Sequence, residues 1–252
     1  MATMMATTIF LWIRLPSCAE KYQGALIISG LVTFIASYHY MRIFDSWVEA
    51  YKWNEDGSIS PTGAPFNNAY RYMDWVLTVP LLLIEIILVM NLTAKESAAK
   101  ARNLAIASTV MILVGYPGER FSSTSNNWRW FYWTGSMVPF LYIVYTLMFG
   151  LAEATASETD RGVADKIRKC QTWTVFSWCT YPAVYLLPML GIPESTAMVY
   201  INFGYTVSDI IAKCGVGILI YNVTKAKSRA LKKRLRENPE ETTPLQYQSF
   251  LE

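Results

Sequence analysis

A lysine and an aspartate lie inside an otherwise uncharged apolar run near the end of the chain. Lys213 follows Asp209 by four residues in the run MVYINFGYTVSDIIAKCGVGILIY, residues 198–221. At about 100° per residue, a four-residue step places both side chains on one face of a helix. The run is long enough to cross a bilayer, where an ionisable side chain is costly and indicates a functional site. The simpler alternative is that Lys213 only forms an ion pair with Asp209.

A second set of ionisable residues lies in the segment RYMDWVLTVPLLLIE, residues 71–85. Asp74 and Thr78 are four residues apart, and Glu85 lies eleven residues after Asp74, about 20° beyond three helical turns. On a helix these side chains point the same way, with Arg71 one turn before them and Glu85 about 16 Å beyond Asp74. Carboxylates at both ends of a path, with a buried amine between them, suit stepwise proton transfer across lipid. The alternative for Glu85 is a polar clamp between helices.

The composition and the apolar stretches predict an all-α membrane protein of one domain. The 252 residues are 53% hydrophobic and 14% aromatic, which is typical of membrane helices. Six apolar stretches of suitable length follow a shorter first one, and helices satisfy their own backbone in lipid. The connector 45–67 predicts a turn or short hairpin around Asp56-Gly57. The six stretches are 22–44, 68–91, 102–117, 130–151, 168–190 and 198–222.

The first apolar segment, MATMMATTIFLWIRL, is too short for a complete span. Fourteen helical residues reach about 21 Å, against a hydrocarbon core of about 30 Å. We expect a truncated first helix: either the natural protein has residues before Met1, or the helix begins partway through the membrane. Counting it, the sequence predicts a seven-transmembrane-helix bundle.

The distribution of basic residues predicts the orientation of the bundle. Sixteen of the 22 Lys and Arg residues fall in connectors on one side or in the segment after the last span. By the positive-inside rule the N-terminus is then outside and the C-terminus cytoplasmic. We therefore expect a membrane domain over 1–224 and a basic, then polar, cytoplasmic tail over 225–252. The basic part of the tail could bind anionic lipid, or it could be an ordinary juxtamembrane segment.

Several segments resemble the microbial (type I) rhodopsins. The segments RYMDWVLTVPLLLIE, SWCTYPAVY and SDIIAKCGVG are similar to the third, sixth and seventh helices of that family. The segments GLVTFIASYHYMRIF and LVGYPGE resemble its proteorhodopsin branch in particular. The resemblance covers about residues 20–224. It implies an outward light-driven proton pump rather than an enzyme, with all-trans retinal bound covalently to Lys213 as a protonated Schiff base.

The resemblance also assigns roles around that Schiff base. Asp74 matches the primary counterion and proton acceptor, and Asp209 matches the second counterion. Arg71 matches the guanidinium that tunes both carboxylates, and Thr78 matches a hydroxyl partner of Asp74. Independently, a buried cation needs such carboxylates to keep its proton.

Glu85 and His39 complete the expected proton-transfer residues. Glu85 matches the cytoplasmic proton donor, and the leucines and isoleucines around it favour the neutral, protonated carboxyl. His39 is the only histidine in the chain. It matches a histidine that hydrogen-bonds the primary counterion in proteorhodopsins, which implies coupling to Asp74. A lone histidine can also be a purely structural hydrogen-bonding residue. For proton exit, Glu119 and Glu194 are candidates.

The expected retinal pocket is lined mainly by aromatic rings. Without the resemblance, such a stripe would indicate an ordinary core. Leu82 occupies the colour-tuning position and, being apolar, predicts green absorption. Trp133 stands where some relatives have the glycine that admits an antenna carotenoid, so we expect no antenna. The remaining pocket residues implied by the resemblance are Trp75, Ser136, Trp178, Tyr181, Pro182 and Tyr185.

Two further functions remain open from the sequence. A photosensor or a light-gated channel would not need Glu85 as a donor. A secondary transporter could use Lys213 and Asp209 as a coupling site. We expect a multi-pass protein of the plasma membrane, or of an internal membrane if the source is eukaryotic, that forms a homo-oligomer. We expect no metal and no nucleic-acid partner, and the four cysteines imply no disulfide framework.

Overall fold

Seven helical rods form one bundle in the computed structural model, which describes residues 1–120, 126–192 and 194–237. The first four rods are single helices: α1 (Ala2–Ile13), α2 (Glu20–Ala50), α3 (Ala69–Leu88) and α4 (Ala94–Arg120). A 3₁₀ turn, Leu15–Ser17, connects α1 to α2. The predicted seven-helix architecture is confirmed, and α1 is a short helix of 12 residues.

The last three rods are interrupted helices. The fifth consists of α5 (Asn126–Tyr145), a π-helical turn (Thr146–Gly150) and α6 (Ala152–Ala156). The sixth consists of α7 (Arg161–Trp178), α8 (Thr180–Leu186) and a 3₁₀ turn (Leu187–Leu190). The seventh consists of α9 (Glu194–Asp209), a π-helical turn (Ile210–Gly215) and α10 (Val216–Glu237).

Four helical segments of the described chain are long and apolar enough to cross a membrane. They are Glu20–Ala50, Ala94–Arg120, Asn127–Ala156 and Thr196–Glu237. The helix α3 carries three charged residue types, Arg71, Asp74 and Glu85, within its 20 residues, which lowers its apolar character. Large apolar side chains such as Phe44, Val138 and Phe203 point outward from the bundle, as expected of surfaces that contact lipid.

Several helices extend past the predicted apolar stretches. The helix α2 continues to Ala50, and α10 carries the basic residues as far as Glu237. Lys, Arg, Glu and Ala are strong helix formers, so a helix need not end where its apolar pattern ends. Lys227 of α10 is largely buried and lies 2.7 Å from Glu158 in an ion pair. The expected tail from residue 225 therefore begins inside α10, and its residues 238–252 lie outside the described chain.

A short hairpin connects α2 to α3, as the sequence predicts. Strands β1 (Tyr51–Trp53) and β2 (Ile59–Pro61) pair antiparallel, with Lys52 opposite Ser60. Gly57 has φ +79, a backbone conformation that glycine adopts without steric cost. We call the end of the bundle that carries this hairpin the hairpin side, and the end where α10 finishes the tail side.

The packing differs between the two ends of the bundle. Toward the tail side, aliphatic residues of α2, α3 and α10, including Leu26, Leu83 and Ile220, form a compact core. Toward the hairpin side, a second cluster is built mainly from the rings of Tyr72, Trp75 and Tyr205. Asp74 of α3 and Asp209 of α9 lie between these two regions.

Candidate cofactor pocket and buried ionic centre

Lys213 lies between the two carboxylates that the sequence singles out. The π-helical turn Ile210–Gly215 carries Lys213, which donates a hydrogen bond to Oδ2 of Asp74 on α3. Its Nζ also lies 3.2 Å from Oδ2 of Asp209, the last residue of α9. All three side chains are at most 1% exposed. Buried charges of this kind are tolerated only when paired, so the centre depends on all three residues.

Asp209 is anchored by three rings from three other helices. The hydroxyl of Tyr40 on α2 donates to Oδ2 at 2.8 Å, and Nε1 of Trp75 on α3 donates to Oδ1 at 3.1 Å. The hydroxyl of Tyr181 on α8 also donates to Oδ1. Hydrogen bonds from several donors fix the orientation of the carboxylate. Asp209 is therefore held on both of its oxygens.

Asp74 is less constrained than Asp209. Its Oδ1 has no hydrogen-bond partner among the described residues. The hydroxyl of Thr78 donates instead to the main-chain carbonyl of Asp74 at 2.8 Å, the common arrangement for threonine within a helix. No described hydrogen bond joins His39 to Asp74, and Nδ1 of His39 is buried without a partner within the described ranges. The two neighbours expected to bind this carboxylate do not bind it in the structure.

Arg71 lies one turn from Asp74 toward the hairpin side. It is 1% exposed, and its Nη2 donates to Oδ1 of Asn202 on α9 at 2.9 Å. The guanidinium carbon lies 5.2 Å from the ring centroid of Tyr205, which is within cation–π range. With Lys213, Arg71 balances the two negative charges of Asp74 and Asp209.

Glu85 is isolated in the tail-side core. It is fully buried, and neither carboxyl oxygen has a hydrogen-bond partner in the described part of the chain. Ser29 of α2 and Cys170 of α7 lie near it, but neither meets hydrogen-bond geometry with it. An unpaired carboxylate in apolar surroundings is costly, so the neutral acid is favoured. Glu85 can therefore store a proton on the tail side of Lys213.

An apolar cavity extends from Lys213 between α3, α4, α5, α8 and α9. Its empty volume, including open solvent at the mouth, is about 700 Å³. Every residue that the resemblance assigns to the cofactor lies on its wall: Trp75, Leu82, Trp133, Ser136, Trp178, Tyr181, Pro182, Tyr185 and Lys213. A long apolar cavity with a primary amine on its wall fits a polyene aldehyde such as retinal.

The walls of the cavity are held in place by rings and hydrogen bonds. The ring of Trp75 meets those of Tyr181 and Tyr205 edge to face, with centroids 5.3 and 5.0 Å away. Nε1 of Trp133 on α5 donates to the carbonyl of Pro182 on α8 at 3.2 Å. These contacts define a rigid slot for a planar group.

One wall of the cavity is absent from the sequence-based prediction. Met111, Ile112 and Gly115 of α4 line it, as do Tyr72 and Tyr205. Met111 and Ile112 belong to no motif and carry no charge, and Gly115 lies in the segment LVGYPGE but has no side chain that indicates a role. Only their spacing of three to four residues could have indicated a common face. Tyr40 lies in the segment GLVTFIASYHYMRIF, which contains no signal of a hydrogen bond to Asp209.

A second polar cluster lies toward the hairpin side. The hydroxyl of Tyr205 donates to Oε1 of Glu119 at 2.6 Å. Nη2 of Arg129 lies 3.9 Å from the same oxygen, and Nε of Arg129 donates to the carbonyl of Tyr185 at 3.3 Å. Of the two proposed exit residues, Glu119 is therefore buried in a defined network. The side chain of Glu194 lies outside the described residues.

The chain is similar to known proteins in both sequence and structure. Residues 1–227 match the family model described as "Bacteriorhodopsin-like protein". A green-light absorbing proteorhodopsin from Gamma-proteobacterium EBAC31A08 is 27% identical over 227 residues, covering 90% of this chain and 84% of that protein. A thermophilic rhodopsin structure has a TM-score of 0.84 and 39% identity, covering 91% and 90% of the two chains. Xanthorhodopsin, described as a light-driven ion pump with dual chromophore, has a TM-score of 0.82 and 37% identity, covering 92% and 91%.

Proposed function

Because the chain belongs to the bacteriorhodopsin-like family, we propose that it is an outward light-driven proton pump with retinal attached to Lys213. Light-driven ion transport by an integral, multi-pass membrane protein is what this chain shares with its proteorhodopsin and xanthorhodopsin relatives. The transported ion, the direction and the role of each residue are the proposal. The observation that carries it is the position of Lys213 between two unequal carboxylates, with the isolated acid Glu85 beyond them.

The cavity and Lys213 support retinal as the cofactor. When bound, retinal would supply light absorption and a light-triggered change in the direction of the proton on the Lys213 nitrogen. The aromatic walls would hold the chain of the cofactor, and their apolar character would exclude water from that nitrogen. Leu82, on the wall of the cavity, supports the expectation of green absorption.

The unequal surroundings of the two carboxylates support Asp74 as the acceptor. Asp209 receives hydrogen bonds from Tyr40, Trp75 and Tyr181, each of which stabilises the anion. Asp74 keeps one oxygen without a partner among the described side chains. A proton leaving the Lys213 nitrogen is therefore more stable on Asp74 than on Asp209.

Glu85 then returns a proton to the Lys213 nitrogen from the tail side. A neutral carboxyl in an apolar shell can give up its proton when a strong base appears nearby, and it can recover one from the adjacent solution. Sixteen of the 22 basic residues cluster toward the tail side, which favours a cytoplasmic position for that side. Protons then enter from the cytoplasm and leave on the hairpin side.

The deciding experiment is illumination of unbuffered cells or sealed vesicles containing the protein and all-trans retinal, monitored with a pH electrode. We expect light to acidify the medium around cells, and a protonophore to abolish the signal. Asp74→Asn should give no signal in the same vesicles, because it removes the acceptor. A light-dependent pH change that persists in the presence of the protonophore, or that requires added chloride or sodium, would contradict proton pumping.

A further inference from the structure

Tyr205 lies between two separate cavities of the protein. Its ring lines the cofactor cavity, and its hydroxyl donates to Oε1 of Glu119 at 2.6 Å. Glu119 in turn lines a second cavity on the hairpin side. Tyr205 itself is only 1% exposed, so this contact connects the cofactor cavity to the second cavity without an open channel through the tyrosine.

The second cavity is large and polar, and we call it the vestibule. Its empty volume, including open solvent at the mouth, is about 1,460 Å³. Its wall is formed by the hairpin-side ends of α2, α3 and α4, by the residues that precede α3, and by Met198 of α9. The polar and charged members of that wall are Arg42, Asp45, Ser46, Glu49, Asn67, Asn68, Tyr70, Tyr116, Glu119 and Arg120. Such a wall favours water, which makes the vestibule suitable for receiving a proton.

Neighbouring residues lead from the ionic centre toward the vestibule. Arg71 lies one turn from Asp74 on α3, with its guanidinium carbon 5.2 Å from the ring centroid of Tyr205. Tyr205 contacts Glu119, and Glu119 lies 3.9 Å from Nη2 of Arg129. Glu119 belongs to α4, so these residues lead from α3 and α9 to α4.

We propose that Glu119 is the last protein group to hold the exported proton, and that it releases the proton into the vestibule. This inference rests on the proposed pump function. The oxygen of the Tyr205 hydroxyl accepts the proton that leaves Asp74 while the hydroxyl gives its own proton to the Glu119 carboxylate, so Tyr205 stays a neutral phenol throughout. Glu119 then gives its proton to water in the vestibule, so one proton leaves for each one that Asp74 receives.

The charged neighbours of Glu119 are arranged for release. Arg129 is buried and fixed by its bond to the carbonyl of Tyr185, and its positive charge stabilises the carboxylate that remains after release. Tyr72 and Tyr185 also face Glu119. These phenols carry no fixed charge, whereas Arg129 places a fixed positive charge 3.9 Å from the Glu119 carboxylate.

Other acids of the vestibule lack this connection. Asp45 is half exposed and lies 3.8 Å from Arg42 in an ion pair. Glu49 lines the vestibule but makes no described contact with Tyr205. Glu49→Gln is therefore a matched control, because it removes one vestibule carboxylate without touching the Tyr205–Glu119 contact.

The test is flash photolysis of the retinal-loaded protein in nanodiscs, with a pH-sensitive dye in the solution. We expect Glu119→Gln and Tyr205→Phe to delay dye-detected release by tenfold or more relative to formation of the deprotonated chromophore, and Glu49→Gln to match wild type. Infrared difference spectra should also lose one carboxyl band in Glu119→Gln.

The possible outcomes separate this inference from the pump itself. If wild type pumps and the Glu119→Gln variant releases its proton as early as wild type does, Glu119 is not the exit group. Only this inference then fails. If wild type releases no proton in sealed vesicles, the pump function fails first. If Glu119→Gln does not bind retinal, Tyr205→Phe decides, because unchanged release in that variant would overturn the inference.

Discussion

Nε1 of Trp75 donates to the carboxylate of Asp209 at 3.1 Å, although the two residues are 134 positions apart in the chain. Trp75 directly follows Asp74, so the same turn of α3 supplies one carboxylate and anchors the other. The two carboxylates consequently differ in how firmly their orientation is fixed. Asp209 accepts hydrogen bonds on both oxygens, whereas Asp74 accepts one from Lys213 on a single oxygen. This difference underlies the predictions about the ionic centre.

The chromophore prediction concerns Lys213. Lys213→Ala should remain colourless after addition of all-trans retinal, because the amine that would bind the aldehyde is gone. Wild type should absorb visible light and bleach with hydroxylamine. Lys225→Ala is the control, since Lys225 lies on the same rod but bonds only the hydroxyl of Tyr221 among the described contacts. A visible band that survives in Lys213→Ala would show that Lys213 is not the attachment site.

The counterion prediction concerns Asp74. Acidification should protonate Asp74 and remove a negative charge beside the cationic nitrogen, which shifts the absorption maximum to the red. Asp74→Asn should show the red-shifted form at every pH and should not pump. An absorption titration checks both statements, and a normal acid transition in Asp74→Asn would assign the titration to another group.

His39 can be tested in the same titration. The resemblance predicts that His39→Gln moves the midpoint of the acid transition, although no described hydrogen bond joins His39 to Asp74. If the midpoint does not move, His39 is a structural residue only.

The anchoring prediction concerns Tyr40. Tyr40→Phe removes one of three donors to the buried Asp209 carboxylate, and a hydrogen bond to a charged group contributes about 1.5–3 kcal/mol. We expect a lower thermal midpoint and a blue shift, since a carboxylate with fewer donors interacts more strongly with the cation. Tyr38→Phe is the control because Tyr38 is 54% exposed. Equal midpoints for the two variants would show that Tyr40 does not anchor Asp209.

The donor prediction concerns Glu85. Glu85→Gln should slow decay of the deprotonated intermediate, because the nitrogen must then wait for a proton from solution. Added azide should partly restore the rate by carrying protons through the core. Glu96→Gln is the control, since Glu96 is exposed and bonds Thr93 at the start of α4. If the intermediate decays at the wild-type rate in Glu85→Gln, Glu85 is only a polar contact between helices. That result would favour a photosensor or a light-gated channel over a pump.

The sequence predicts relationships within a helix better than relationships between helices. The common direction of Asp74, Thr78 and Glu85 follows from helical geometry alone, and all three are buried in the structure. The donors that Tyr40 and Tyr181 supply to Asp209 depend on how three rods pack. Periodicity contains no information about that packing.

Side-chain orientation is a second limit of sequence reasoning. Thr78 was expected to bind the carboxylate of Asp74, but its hydroxyl bonds the main-chain carbonyl of the same residue. Both arrangements use a spacing of four residues, so spacing could not distinguish them. The hairpin was predictable because Asp56-Gly57 is a strong local turn signal.

The π-helical turn Ile210–Gly215 lets the seventh rod hold one residue more than a continuous α-helix would. A π turn accommodates one more residue than an α turn, and such turns often lie at functional sites. Deleting one residue between 210 and 215 would therefore allow a continuous α-helix and would leave α10 in nearly the same rotation relative to α9. Inserting one further residue would instead rotate α10 by about 100°, and Val216 and Ile220, which are fully buried, would turn away from the tail-side core. Single-residue deletions and insertions should therefore diverge sharply here, with insertions abolishing assembly and deletions preserving it.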